Sequence, residues 1–187
     1  TDIFVKEDTE SVKTDSFEHH VNRMAEAYNK MKNSIEEKYA EQDYEPEYYV
    51  TESGKIEELT KEKELDMLNL NVRAVHILTK LFLQDFVRRD YGYILNVASS
   101  AGFTAGPLMA SYYAGKNYVL RLTQAVAEEL RQEGSRVRVS ALCPGPVDTD
   151  FNRNANAKSA VKGISPKKAA AAGLKGVFAG KTVILPD

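Results

Sequence analysis

A chain of 187 residues, 43% hydrophobic and 28% charged, has room for one sizeable domain or for a domain with an appendage, and no apolar run reaches the length of a membrane span. Its single cysteine, Cys143, excludes an internal disulfide and a multi-cysteine metal site, and it suits a reducing cytoplasm. The net charge of −2 hides a division: residues 1–66 hold 19 Asp/Glu against 9 Lys/Arg, and residues 67–187 hold 8 against 16. The two regions differ in character, and the second suits an anionic ligand better than a nucleic acid, unless both are ordinary solvated surfaces.

The start, "TDIFVKEDTESVKTDSF", lacks the basic-then-apolar order of a secretory signal. Residues 1–14 are polar and aperiodic, which predicts a flexible arm. "DSFE" at 15–18 resembles a capping box, and Phe17, Val21, Met24, Tyr28, Met31 and Ile35 follow at spacings of four and three. They form one face of a long helix ending near Ala40, which docks on its own chain or pairs with another helix. His19-His20 has no third ligand nearby and reads as solvent-facing rather than metal-binding.

"EYYVTESGKIEEL" at 47–59 predicts a hairpin around Glu52-Ser53-Gly54. From Thr60 the pattern is helical: Leu65, Leu68, Val72, Val75, Leu78, Phe82 and Phe86 make a stripe, with Glu62 and Glu64 in the first turn and Arg88 and Arg89 in the last. "YILNVA" at 93–98 is a short buried-strand signature, followed by a helix from about Met109 to Gln132 with the stripe Val119, Leu122, Val126, Leu130. "RVRVSALCP" at 136–144 is the next strand. A polar loop then runs to about 164, "SPKKAAAAGLKGVF" at 165–178 opens a helix with a Ser cap and Pro, and "KTVILP" at 181–186 is a final strand. Helix and strand alternate from residue 60 onward, which predicts an α/β fold whose parallel sheet is covered by helices on both faces.

Within this frame "ASYYAGKNYV" at 110–119 puts Tyr112 and Lys116 one helical turn apart on one face. An ammonium beside a phenol favours the phenolate and lowers its pKa, which suits a tyrosine to acid-base work. Ser99 and Ser100 follow the strand 93–98 at its carboxyl end, the edge where open parallel sheets bind ligands. Pro144, Gly145 and the Thr149 hydroxyl in "CPGPVDT" reach the same edge from the next strand.

From about Gly54, and most clearly from Leu65 to Pro186, the chain resembles a short-chain dehydrogenase/reductase, through "LNLNVRAV", "ILNVASSAG", "YYAGK" and "CPGPVDT" in order and spacing. The resemblance implies a partial Rossmann-like domain over 54–187, preceded by an acidic helical segment, 1–53, that does not match. It implies that Ser99 hydrogen-bonds the substrate oxygen, that Tyr112 moves the proton, and that Lys116 tunes the phenol and holds the nicotinamide ribose. Ser100 and Tyr113 share the interval of thirteen seen in Ser99 and Tyr112, but Asn117 stands where Tyr113 would need a lysine. Asn71 matches the asparagine that positions a relay water. Pro144, Gly145, Val147 and Thr149 match the segment that cradles the nicotinamide. The implied reaction is hydride transfer between NAD or NADP and a small carbonyl or alcohol substrate, in a dimer formed through the helices 60–89 and 109–132, with no metal, nucleic acid or membrane involved.

The first glycine of the sequence is Gly54, so no glycine-rich phosphate-binding turn precedes it, and the residue that reads the adenosine ribose is missing too. Three accounts fit this departure: a family member whose first third is lost or replaced, a remnant serving as an oligomeric binding or assembly module without cofactor, or an acidic front segment that closes the sheet in an unfamiliar way.

Overall fold

The computed structural model describes residues 4–6, 51–151, 155 and 162–186. The expected helix over 16–40, His19-His20, the start of the expected hairpin and most of the loop 152–161 lie outside them. The elements are β1 (Phe4–Lys6), α1 (Lys61–Leu68), a π-helical segment (Asn69–Ala74), α2 (Val75–Arg89), β2 (Tyr93–Val97), a 3₁₀ turn (Ser100–Phe103), α3 (Ala110–Gln132), β3 (Arg138–Leu142), α4 (Pro166–Phe178) and β4 (Val183–Ile184). The sheet order is β1-β2-β3-β4, with β2, β3 and β4 parallel and β1 antiparallel to β2.

Alternation along β2 and β3 explains their continuous apolar runs. Ile94 and Val139 pack under α2 and α3 with Phe82, Phe86 and Leu130, while Leu95 and Leu142 face the other way, against Val177 of α4 and Ile184. Both sheet faces are covered, as the helix-strand alternation predicts for a Rossmann-like parallel sheet. At Gly173 and Gly176 the helix α4 lies close on the sheet: a Cβ at Gly176 would stand 2.5 Å from Ile184 Cγ1.

Buried polar groups tie the layers together at one point. Asn96, fully buried in β2, accepts from Thr79 Oγ1 of α2 at 3.1 Å and donates to Thr123 Oγ1 of α3 at 3.0 Å. Thr123 in turn donates to the Val119 carbonyl at 2.7 Å, so each side chain of the chain of bonds has a partner.

Three expectations are corrected. Residues 51–59 form no hairpin: the Ser53 and Gly54 N–H groups donate to Ala155 and Leu108, and a turn closes at Lys55–Leu59, so the backbone bonds a ladder needs go elsewhere. Residues 4–6 of the expected flexible arm are a strand on the outer edge of β2, Phe4 opposite Leu95. The stripe on helix 60–89 breaks at the π segment, whose wider turn shifts the phase between α1 and α2; Leu65 (41% exposed) and Leu68 (37%) fall on the outer side while Met67, Val75, Phe82 and Phe86 are buried.

The end of α2 is closed by Asp90 in a left-handed conformation (φ 49°), whose carboxylate accepts from the Arg136 N–H and the Ser135 hydroxyl, both at 2.8 Å. Donation from the Arg136 backbone N–H, then from Ser135, lowers its pKa below 3.8. The stability it contributes is therefore present above the unfolded value and is lost as pH falls through the depressed folded value. Urea midpoints of wild type and Asp90→Asn are expected to differ at neutral pH and to converge in acid; a constant gap would show that the charge is irrelevant.

Candidate active site

Strands β2 and β3 end side by side, and their ladder continues past them: Ala98 N–H donates to Leu142 O and Ser100 N–H to Pro144 O, both at 2.8 Å. This brings the two segments that follow the strands onto one rim. Ser99 is extended (φ −172°) and caps the 3₁₀ turn; its Oγ accepts from Ala101 N–H at 3.1 Å and donates toward the Pro144 carbonyl at 3.5 Å. The turn then presses on α3 at Gly102, where a Cβ would stand 2.9 Å from the Lys116 carbonyl oxygen. Asn117 Nδ2 donates to Gly102 O at 2.6 Å and locks the contact. Ser99 is thus held at a fixed distance from the face of α3 that carries Tyr112 and Lys116.

The Tyr112 side chain is half-buried, and Ser99 lies near enough to act on its phenol. Burial raises the phenol pKa above 10.0; Ser99 opposes this, and the neighbouring Tyr113 adds to it. This reverses the direction expected from the sequence. Lys116 Nζ donates to the Val97 carbonyl at 3.1 Å and lies 5.7 Å from the centroid of the Tyr112 ring, over its face. Desolvation of the phenol is the largest cause of the shift, while the ammonium bonds the end of β2. Behind the pair, Cys143 is buried next to Ser99, and burial pushes its thiol up to about 11, so it stays protonated and inert.

Asn71 sits in the π segment, half-buried, one residue before Val72, which packs on α3 so closely that a Cβ at Gly115 would meet Val72 Cγ2 at 3.2 Å. The π segment and the Tyr112–Lys116 stretch are therefore in direct contact. Across the rim, Pro146–Asp148 is held by Ile164: Asp148 N–H donates to Ile164 O at 2.9 Å and Ile164 N–H to Pro146 O at 3.0 Å. Val147 lies in this bridge, and the Thr149 hydroxyl accepts from Phe151 N–H at 3.3 Å. Gly145 opens onto free space, where a Cβ would meet nothing within 4 Å.

Two participants carry no sequence motif. Phe151 lays its ring on Tyr112, centroids 5.3 Å apart and planes tilted by 41°; its place two residues after Thr149 was the available signal. Thr51–Gly54 ties together the loops flanking the tyrosine, with Ser53 N–H on Ala155 O (2.9 Å) and Gly54 N–H on Leu108 O (2.8 Å). Leu108 holds a left-handed backbone (φ 64°), an uncommon conformation for this residue type, just before α3.

Gly145 is exposed and has open space where a Cβ would stand, which leaves room for a flat ligand beside Pro144 and Val147. Among the described residues no glycine-rich turn feeds a helix N-terminus on this rim, and no group of three potential metal ligands occurs.

A family model described as short chain dehydrogenase matches residues 49–160. The chain is 35% identical over 95 residues to a 2-dehydro-3-deoxy-D-gluconate 5-dehydrogenase of Bacillus subtilis, covering 51% of this chain and 37% of that one. It is 36% identical over 92 residues to a Synechocystis 3-oxoacyl-[acyl-carrier-protein] reductase, covering 49% and 36%. Among solved structures, a short-chain dehydrogenase from Sphingobium yanoikuyae in complex with NADPH superposes with a TM-score of 0.66 at 26% identity, over 73% of this chain and 53% of that one. The chain spans between a third and about half the length of these relatives.

Proposed function

We propose, from the premise that this chain belongs to the short-chain dehydrogenase family, that it is an oxidoreductase moving a hydride between NAD or NADP and a carbonyl or alcohol substrate, with Tyr112 as general acid and base. The reading rests on one arrangement: the Lys116 amine lies over the Tyr112 ring and bonds the end of β2, and Ser99, just beyond that strand, is near enough to lower the phenol's pKa. The Sphingobium yanoikuyae relative in complex with NADPH supports a nicotinamide cofactor.

Pro144, Gly145, Val147, Thr149 and Lys116 would hold the nicotinamide, which would supply or accept the hydride when bound. The chain does the rest. Ser99 donates to the substrate oxygen and orients it toward Tyr112. Tyr112, whose buried phenol stays protonated at neutral pH, gives its proton to that oxygen in the reducing direction and takes it back in the oxidising one. Lys116 lies over the ring of Tyr112, where its charge offsets the phenolate that forms. Asn71, in the adjoining π segment, holds the relay water through which the proton is replaced. Phe151 excludes bulk water from the phenol.

The substrate is a small carbonyl or alcohol compound. A second copy pairs through the groove between α2 and α3, where Leu83, Val87, Val126 and Leu130 are rimmed by Arg88 and Glu129. A cytoplasmic location fits the single reduced cysteine, and among the described residues no helix is long and apolar enough to cross a membrane.

A second reading, an oligomeric binding or assembly module that takes no cofactor, draws support for its cofactor-free part from β1, which occupies the edge of β2 where further parallel strands would pair. The chain has no tryptophan, so nicotinamide fluorescence can be titrated with little background. Saturable enhancement with NADH or NADPH, followed by carbonyl-dependent oxidation, is the expected result. A stable dimer with no binding at millimolar cofactor would establish the module instead.

A further inference from the structure

The helix that carries Tyr112 begins without the usual side-chain cap. Its N-cap position is Met109, which makes no capping hydrogen bond, and its first turn has no acidic residue. An uncapped start leaves backbone donors unmet and the first turn prone to fray. Tyr112 lies in that turn, so its position depends on whatever steadies it.

The support comes from another helix. Ser111 Oγ donates to Glu64 Oε1 of α1 at 2.6 Å, in partly buried surroundings. Glu64 is one turn into a helix that is itself well begun, with the Thr60 hydroxyl as its cap. A small cavity beside the bond, of about 20 Å³, is lined by Glu64, Ser111, Tyr112, Met67 and Met109, so the carboxylate and the tyrosine face the same space. Further along, α3 is clamped at Gly115 by Val72 and at Tyr118 by His76, whose Nδ1 shares a hydrogen bond with the phenol oxygen at 2.7 Å. Those clamps lie beyond Tyr112; in the first turn the Glu64–Ser111 bond is the tie to a neighbouring helix, beside the Gly54 bond to Leu108 and the Phe151 ring on Tyr112.

We propose that Glu64 is a positioning residue for Tyr112: by accepting the Ser111 hydrogen bond, it supplies the missing anchor at the start of the helix and keeps the phenol aligned with Ser99. It touches no reacting atom. This rests on the reading of Tyr112 as the proton carrier, yet it can be tested apart from it.

Three variants separate the bond from the charge. Glu64→Gln keeps an acceptor and removes the charge, Ser111→Ala keeps the charge and removes the bond, and Glu64→Ala removes both. Misplacement of a reacting group costs rate rather than affinity, so kcat is expected to fall about tenfold to a hundredfold in Glu64→Ala and Ser111→Ala with KM little changed, while Glu64→Gln stays within about threefold of wild type. A Glu64→Gln variant as impaired as Glu64→Ala, or an unimpaired Ser111→Ala, overturns the proposal. The second readout needs no turnover. Without tryptophan, the Tyr112 transition can be isolated in the ultraviolet tyrosinate band by subtracting the Tyr112→Phe titration. It is expected to move down toward the ordinary phenol value in Ser111→Ala and Glu64→Ala, as the turn loosens and burial is relieved, and to stay in place in Glu64→Gln. If the parent protein shows no turnover, the assignment of Tyr112 as proton carrier fails, and this titration alone decides whether Glu64 holds it. Coincident transitions in all four proteins overturn the coupling.

Discussion

Replacing Tyr112 by phenylalanine is expected to lower carbonyl-dependent turnover by about 10³, within the range of 10²–10⁴ for loss of a positioned acid or base. The substitution removes one oxygen and little else. The ring keeps its contacts with Phe151, 5.3 Å away, and with Tyr113, 6.0 Å away. Ser99 keeps its bond from the Ala101 N–H. KM and the urea midpoint near neutral pH should therefore change little, which separates a chemical loss from a folding one.

The pH dependence gives the same assignment a sign. Burial raises the phenol pKa above its ordinary value, so the reducing direction, which needs the protonated form, should hold its rate across neutral pH. The oxidising direction needs the phenolate and should climb as pH rises. The same shift makes Tyr112 a stabilising group below the unfolded pKa of about 10, and that contribution is lost as pH rises through the folded value. Retention of most of the activity by Tyr112→Phe, with an unchanged pH profile, would show that another group carries the proton.

Asn96→Asp is expected to be the most damaging single-atom-scale change in the core. Asn96 is fully buried and uses both ends of its amide, the oxygen as acceptor from Thr79 and the nitrogen as donor to Thr123. An aspartate keeps the first bond. At the second it sets a carboxylate oxygen against Thr123 Oγ1, whose hydrogen is already committed to the Val119 carbonyl. Two acceptors then face each other with no proton between them unless the acid is protonated. An unmet buried polar group costs about 1–3 kcal/mol, and an ionised one more, so a loss of about 3 kcal/mol or more is expected at neutral pH.

Protonation relieves the clash, so the folded variant holds its proton more tightly than the unfolded chain does. Its folded pKa is raised; the variant is most stable below the unfolded value of about 4 and weakens as pH rises. Urea unfolding near pH 4 and near neutrality should show the deficit growing with pH. A deficit independent of pH would mean that the bond to Thr123 does not govern the site. Because Val97, next to Asn96, gives its carbonyl to Lys116, a shift of β2 at this point would reach the site as well.

The Tyr112–Lys116 interval, the serine after β2 and the Pro-Gly segment after β3 were legible because each depends on residues close in sequence and on the rule that parallel strands end on one rim. The direction of the tyrosine's pKa was not. The sequence shows an ammonium one turn away but not how much water the fold removes, and removal of water is the larger effect here. Asn96 offered a faint signal, a polar residue inside an apolar strand, yet its partners Thr79 and Thr123 lie on two different helices. The Glu64–Ser111 bond spans 47 positions, and neither residue stands in a pattern of its own.

By itself, then, the sequence determined the alternation of helix and strand, the parallel core of the sheet and the helix faces that carry the candidate chemistry, since spacing, end signals and apolar runs act over a few residues. Tertiary structure decided the rest. It set the phase change in the π segment that turns Leu65 and Leu68 outward, the use of Thr51–Gly54 as a tie between loops, the pairing of residues 4–6 with β2 and the burial that raises the phenol's pKa. Each of these depends on which distant groups compete for a backbone bond or for water, and that competition is settled only when the chain is packed.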